Sequence, residues 1–275
     1  MESQVLIAFL LTLFAGLSTG IGSGIAFFAK RTNTLFLSVS LGFSAGVMIY
    51  VSFAELFADS IGILSELHGS QNGTLYATLA FFAGVCIIMI IDRLVPEKGN
   101  PHEMHRVEEI SDRQAPKFYT KTSDNSRLLR VGLVTALVLA IHNFPEGMVT
   151  FFAALKDVKV AIPIAFAIAI HNIPEGIAVS VPIYYATGNR RKSFWLSFFS
   201  GLAEPVGAII GYLILASFLN DNIFGILFGM IAGIMVFISL DELLPAAEKY
   251  GKHHHAIYGL VGGMAVMAFS LLLFQ

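Results

Sequence analysis

Two nearly identical hexapeptides, HNFPEG at residues 142–147 and HNIPEG at 171–176, each place a histidine, an asparagine and a glutamate inside a strongly apolar run. On a helix advancing 100° per residue, His142, Asn143 and Glu146 fall on one stripe about 100° wide, and His171, Asn172 and Glu175 do the same. Each proline lacks an N–H, so the carbonyls of Ile141 and Ile170 lose their helical partners and become spare oxygen ligands or bend points. A buried acid at the centre of a membrane helix costs on the order of 2.5–3.5 kcal/mol. Glu204, in the run SGLAEP, is a third such acid, and no lysine or arginine sits at that depth to offset it. A divalent cation is the simplest compensator. Two imidazoles, three carboxylates and two amides suit a borderline ion such as Zn²⁺ or Fe²⁺, and Mn²⁺ or Co²⁺ less specifically. Without thiolates the site would hold its ion less tightly than a structural zinc site does. Glu146 and Glu175 could bridge two ions.

The elements that must position these residues are membrane helices. The chain has 275 residues, 56% hydrophobic and 13% charged, with a mean hydropathy of +0.74. That charged fraction is about half the usual value for a soluble protein. Eight apolar blocks, near 5–28, 34–57, 75–95, 128–155, 160–187, 193–219, 223–247 and 255–274, are each long enough to cross a bilayer. The expected fold is therefore an all-α membrane protein of eight transmembrane helices, a single polytopic domain over residues 1–275. The first block lacks a basic leader and is read as a retained helix. Of the 17 lysines and arginines, all but Lys156 and Lys159 fall in or beside the loops after spans 1, 3, 5 and 7. Those loops are thus expected in the cytoplasm, the polar 96–126 loop among them, with both termini outside.

Glycines at four-residue spacing, as in AGLSTGIGSG of span 1, are read as close-packing surfaces between helices. A longer repeat relates AGVMIYVSFAEL (45–56) to AGIMVFISLDEL (232–243), matching Ala45/Ala232, Gly46/Gly233, Met48/Met235, Ser52/Ser239, Glu55/Glu242 and Leu56/Leu243. Spans 2 and 7 run in opposite directions under the assigned topology, as do the two hexapeptides. These relations give a 3 + 2 + 3 inverted-repeat bundle, with spans 4 and 5 between the two groups of three. Inverted repeats with broken helices near the midplane mark transporters.

Several classes are excluded or set aside. No basic patch with interleaved aromatics suggests nucleic acid, and no G-x-x-x-x-G-K-[ST] loop suggests ATP coupling. The lone Cys86 is read as a small packing residue. An intramembrane di-metal enzyme would also use carboxylate-bridged ions, but the H-E-x-x-H and E-x-x-H signatures are missing. A gated metal channel is the nearer alternative.

Together, HNFPEG, HNIPEG, SGLAEP and ISLDELLPAAE resemble the ZIP (Zrt-, Irt-like) family of metal transporters, and the resemblance covers essentially the whole chain. It implies eight transmembrane helices, both termini outside, and import of divalent metal into the cytoplasm. It also implies a binuclear centre. One site would use His142, Glu146, His171 and Glu175; the other would use Asn143, Glu146, Asn172, Glu175 and Glu204. Neutral Asn172 stands where some family members have aspartate, so the second site carries less charge here. Glu55, near the outer end of span 2, and Glu242, beside Asp241 near the inner end of span 7, are expected to mark an outer entrance and an inner exit. Met48 and Met235 could lend sulfur to that path, with helix packing as the plainer role. His253–His255, His102 and His105 could catch departing metal, though solvated loop is the simpler description.

The expectation is a secondary transporter in the cytoplasmic (inner) membrane that imports Zn²⁺ and also Fe²⁺, Mn²⁺ or Co²⁺ by alternating access. Zn²⁺ or Fe²⁺ would be its bound transport substrate, with no catalytic cofactor. Its partners are metal ions and lipid, with a homodimer left open.

Overall fold

The computed structural model describes residues 2–28, 34–94, 121–218, 220–251 and 253–274. Nearly all of them are helical, and no strand occurs among them. In hydrocarbon every backbone N–H and C=O must find a partner within its own segment, so apolar runs of this length fold as helices. Eight rods result. The first is α1 (Glu2–Phe28). Next, α2 comprises Thr34–Val51, a π-helical stretch Ser52–Phe57, and Ala58–His68. They are followed by α3 (Ser70–Leu94), α4 (Lys121–Lys156) and α5 (Val158–Thr187). The sixth, α6, comprises Arg190–Gly201 and Ala203–Leu215. Then α7 comprises Asp221–Ile238, a π-helical stretch Ser239–Leu243, and Leu244–Tyr250, and α8 is His253–Phe274.

Seven of these rods are long and apolar enough to span a bilayer, and the eighth, α4, is a 36-residue helix with a polar first third. At 1.5 Å per residue α4 is about 54 Å long, well beyond the hydrocarbon thickness. Short capped turns make its neighbours antiparallel. The Asp157 side chain accepts from the Lys159 N–H and starts α5, and Asn189 and Asn220 cap α6 and α7 in the same way. Gly188, at φ +63°, closes α5 in the left-handed conformation that glycine adopts without strain.

The centre of the bundle is α5. Its apolar stretch is 78% buried, against 22% for α3 and 28% for α8, which therefore face the surroundings. Around it, α5 packs on α1 and α4, α4 on α6, α2 on α8, and α3 on α7. Glycines set these separations. A Cβ on Gly147 would come 1.9 Å from the Glu204 carbonyl oxygen, and one on Gly176 would come 2.1 Å from that of Thr19. On the outer pairs, a Cβ on Gly46 would lie 2.0 Å from the Leu260 carbonyl oxygen and one on Gly233 2.0 Å from that of Phe81. No larger residue fits without moving a backbone.

Several expectations need correction. The helices are not broken at the motif prolines, since both α4 and α5 run through Pro145 and Pro174 as unbroken α-helix. Irregular backbone lies instead at Leu202, where Pro205 offers no N–H to the Gly201 carbonyl, and in the two π-helical stretches. Helix α4 begins at Lys121, so residues 121–126 are helical and not loop. The remainder of the 96–126 loop, with His102 and His105, lies outside the described residues. Because α2 continues to His68, Glu55 sits well inside that rod and not at its end. Cys86 is exposed on α3 and fills no gap in the core.

Candidate metal centre

The two hexapeptides face each other across the α4–α5 contact. His142 and Asn143 are 1% exposed, and Glu146, His171, Asn172, Glu175 and Glu204 are completely buried. The sequence-predicted ligands thus come together from three rods, α4, α5 and α6. The His171 Nε2 is 3.1 Å from Glu146 Oε1, and His142 Nε2 lies 3.3 Å from the same oxygen and 3.6 Å from Glu175 Oε1. One ligand atom each from His142, His171 and Glu175 can be chosen so that all three lie within 4.8 Å of one another.

The amides are oriented by partners of which sequence reasoning found only Glu204. Asn143 Nδ2 donates to the Ser200 carbonyl at 3.1 Å, and Asn172 Nδ2 donates to the Ala15 carbonyl at 3.0 Å and to Glu204 Oε1. With their N–H groups pointed at these acceptors, both asparagines turn their carbonyl oxygens the other way. Ser44 on α2 donates to Glu175 Oε1 at 3.1 Å. Nothing marks that serine in the sequence beyond its place just before the repeated AGVMIYVSFAEL segment.

What remains is a set of buried oxygens and nitrogens with no hydrogen-bond partner among the described residues. Asn143 Oδ1, Asn172 Oδ1, Glu146 Oε2, Glu175 Oε2, Glu204 Oε2 and both Nδ1 atoms of the histidines belong to it. Leaving one buried polar group unpaired costs about 1–3 kcal/mol, and more for a charged one. Natural proteins rarely leave so many together. A cation is the chemical species that would satisfy the carboxylate and amide oxygens of this set, together with the Nε2 atoms that lie against the glutamates.

The other nominated residues lie elsewhere. Met48 and Met235 are fully buried in the apolar core. Glu55 and Glu242 lie half-buried in the two π-helical stretches of α2 and α7. His253 and His254 are exposed at the start of α8, and His253 Nδ1 is 2.5 Å from Glu248 Oε1.

A multi-pass helical membrane protein with a fully buried His/Asn/Glu cluster belongs to the class of polytopic ion carriers. A family profile described as "ZIP Zinc transporter" matches residues 95–271. Among curated relatives, "Zinc transporter ZupT" of Clostridium perfringens (strain 13 / Type A) is 58% identical over 99% of this chain and 97% of its own length. The protein of the same name in Streptococcus mutans serotype c is 57% identical over 100% of both chains. That of Nitratidesulfovibrio vulgaris is 56% identical over 99% of both. The chain belongs to the ZIP family: it is a membrane transporter of divalent metal, and not an enzyme.

Proposed function

We propose that this protein is a secondary transporter that imports Zn²⁺, and with it Fe²⁺, Mn²⁺ or Co²⁺, across the cytoplasmic membrane. Zinc is the metal in the names of the relatives. The observation that carries the reading is the buried cluster of two imidazoles and three carboxylates, which has no lysine or arginine partner among the described residues. His142, Glu146, His171 and Glu175 form one site, whose two nitrogens and two oxygens suit tetrahedral Zn²⁺. Asn143, Asn172 and Glu204, with Glu146 and Glu175 shared, form a second site made of oxygens alone. The inward direction rests on the lysine and arginine distribution, which puts both termini outside.

Alternating access is the mechanism, with the outer rods rocking around a fixed centre on α4 and α5. The 3 + 2 + 3 inverted repeat behind it is supported by paired contacts. Gly147 meets Glu204 as Gly176 meets Thr19, and Gly207 meets the Phe144 carbonyl as Gly22 meets that of Ile173. The α2–α8 and α3–α7 pairs correspond likewise: Gly263 meets the Phe43 carbonyl as Gly84 meets that of Met230. Gly16 and Gly201 meet each other, each Cβ position 2.6 Å from the other's carbonyl oxygen, as residues flanking a two-fold axis must. Glu55 and Glu242, equivalent under the same repeat, mark the outer and inner approaches.

Uptake of radioactive Zn²⁺ into proteoliposomes tests the assignment. Saturable uptake that Glu146→Ala abolishes is the expected result. Uptake unchanged in that variant would overturn it.

A further inference from the structure

The repeat that pairs α1 with α6 aligns GLSTGIG (16–22) with GLAEPVG (201–207), so that Thr19 occupies the position of Glu204. The two side chains are rooted alike. Glu204 Cβ lies 3.4 Å from a Cβ placed on Gly16, and Thr19 Cβ lies 2.6 Å from one placed on Gly201. Their backbones are also placed alike, each carbonyl seated against a motif glycine, Gly147 or Gly176.

Thr19 is completely buried, and its Oγ1 has no hydrogen-bond partner among the described residues. A helical threonine ordinarily bonds the carbonyl four residues back, as Thr12 does to Ala8. For Thr19 that carbonyl is Ala15, already taken by Asn172 Nδ2 at 3.0 Å and by the Ser18 hydroxyl at 2.6 Å. The orphaned oxygens therefore form three two-fold pairs: Asn143 Oδ1 with Asn172 Oδ1, Glu146 Oε2 with Glu175 Oε2, and Glu204 Oε2 with Thr19 Oγ1. A threonine hydroxyl is two bonds shorter than a glutamate carboxylate. A single water, hydrogen-bonded at about 2.8 Å, makes up that difference.

We propose that Thr19 holds the water that completes the second ion site. The inference rests on the two-ion reading of the centre. The water's oxygen faces the ion and one of its hydrogens is donated to Thr19 Oγ1. Six oxygens, five from side chains and one from water, give an octahedral all-oxygen site. Such a site favours a hard divalent cation of the Mn²⁺ kind over Zn²⁺. The site beside it, with its two imidazoles, keeps the opposite preference.

The test is Mn²⁺ binding to the purified full-length protein, its first site saturated with one equivalent of Zn²⁺. Wild type is expected to take one Mn²⁺, whose EPR lines broaden in ¹⁷O-water as one bound water requires. Thr19→Val should weaken Mn²⁺ by at least about tenfold, the loss usual when a group behind a ligand is removed. Zn²⁺ affinity should stay unchanged and Thr19→Ser should restore Mn²⁺ binding. If wild type binds no second ion beside Zn²⁺, the two-ion reading itself fails. A second ion that shows no ¹⁷O broadening, or whose affinity is the same in Thr19→Val, overturns the role of Thr19 alone.

Discussion

Two repeated pairs of helices in this protein behave in opposite ways. Helices α4 and α5 carry a proline in mid-helix and yet stay unbroken, whereas α2 and α7 slip into π-helix beginning at Ser52 and Ser239. Proline accounts for only part of this. Pro245 follows the α7 bulge and withholds an N–H from the Asp241 carbonyl, but Ala58 stands at the equivalent place in α2 and the bulge forms there too. The difference follows from what each pair must hold. His142, Asn143 and Glu146 share a stripe only while the helix keeps 3.6 residues per turn, and one inserted residue would swing Glu146 about 100° away. The two helices that bear the paired motifs are therefore held regular, while Glu204, alone on α6, sits two residues past the irregular Leu202. The irregular backbone is placed in the rods beside them, where π-bulges commonly serve function.

The largest effect should come from loosening the regular pair. Gly147→Ala would set a Cβ 1.9 Å from the Glu204 carbonyl oxygen, a collision with backbone that no rotamer relieves. We expect a loss of about 3 kcal/mol, the upper end for overpacking, together with loss of Zn²⁺ uptake. Thermal unfolding in detergent and proteoliposome uptake would check both. Unchanged stability would mean that α4 and α6 separate more easily than their contact implies.

Next in size is removal of a bulge. Deleting Phe53, about half exposed, takes out one residue and lets α2 run on as α-helix. Residues 58–68 would keep nearly the same facing, because the slower turn of the π stretch offsets its one extra residue, and α2 would lose only the bulge itself. We expect uptake to fall more than about tenfold while Zn²⁺ affinity, set on α4 and α5, changes little. Equal losses in both would erase the distinction between a rigid centre and deformable flanks.

A smaller effect is expected at Ser44. Its hydroxyl donates to Glu175, while buried Ile231, its counterpart under the repeat, offers nothing to Glu146. A hydrogen bond to a charged group contributes about 1.5–3 kcal/mol, so Ser44→Ala should weaken Zn²⁺ by roughly tenfold. Calorimetric titration would measure it. No change would mean that the two glutamates are held equally well without the serine.

The stripe of His, Asn and Glu was legible because helical periodicity alone puts those residues on one face. Glu204 was legible as an acid stranded in mid-span. The bulges were not, because one extra residue per turn leaves no mark in composition. Glu55 was placed too near an end because ADSIGILSELH, polar at several positions, reads as a helix terminus although it continues α2. Cys86 illustrates a different limit: lipid and protein interior are both apolar, so an apolar block does not tell which side a residue faces. The carbonyls of Ala15 and Ser200 that orient the asparagines depend on how helices distant in sequence pack, and no motif encodes them.

The motif prolines themselves should give the smallest change. Pro145→Ala or Pro174→Ala restores an N–H to the Ile141 or Ile170 carbonyl within a helix that is already regular. Ile170 is 43% exposed and lies off the ligand stripe. Proline disfavours a helix interior by about 3 kcal/mol in water, and less where membrane packing satisfies the freed groups. Each substitution should therefore raise thermal stability modestly and leave Zn²⁺ affinity within about twofold of wild type. A marked loss of affinity would instead make the freed carbonyls ligands. The regularity of α4 and α5 would then serve to present backbone oxygen as well as side chains.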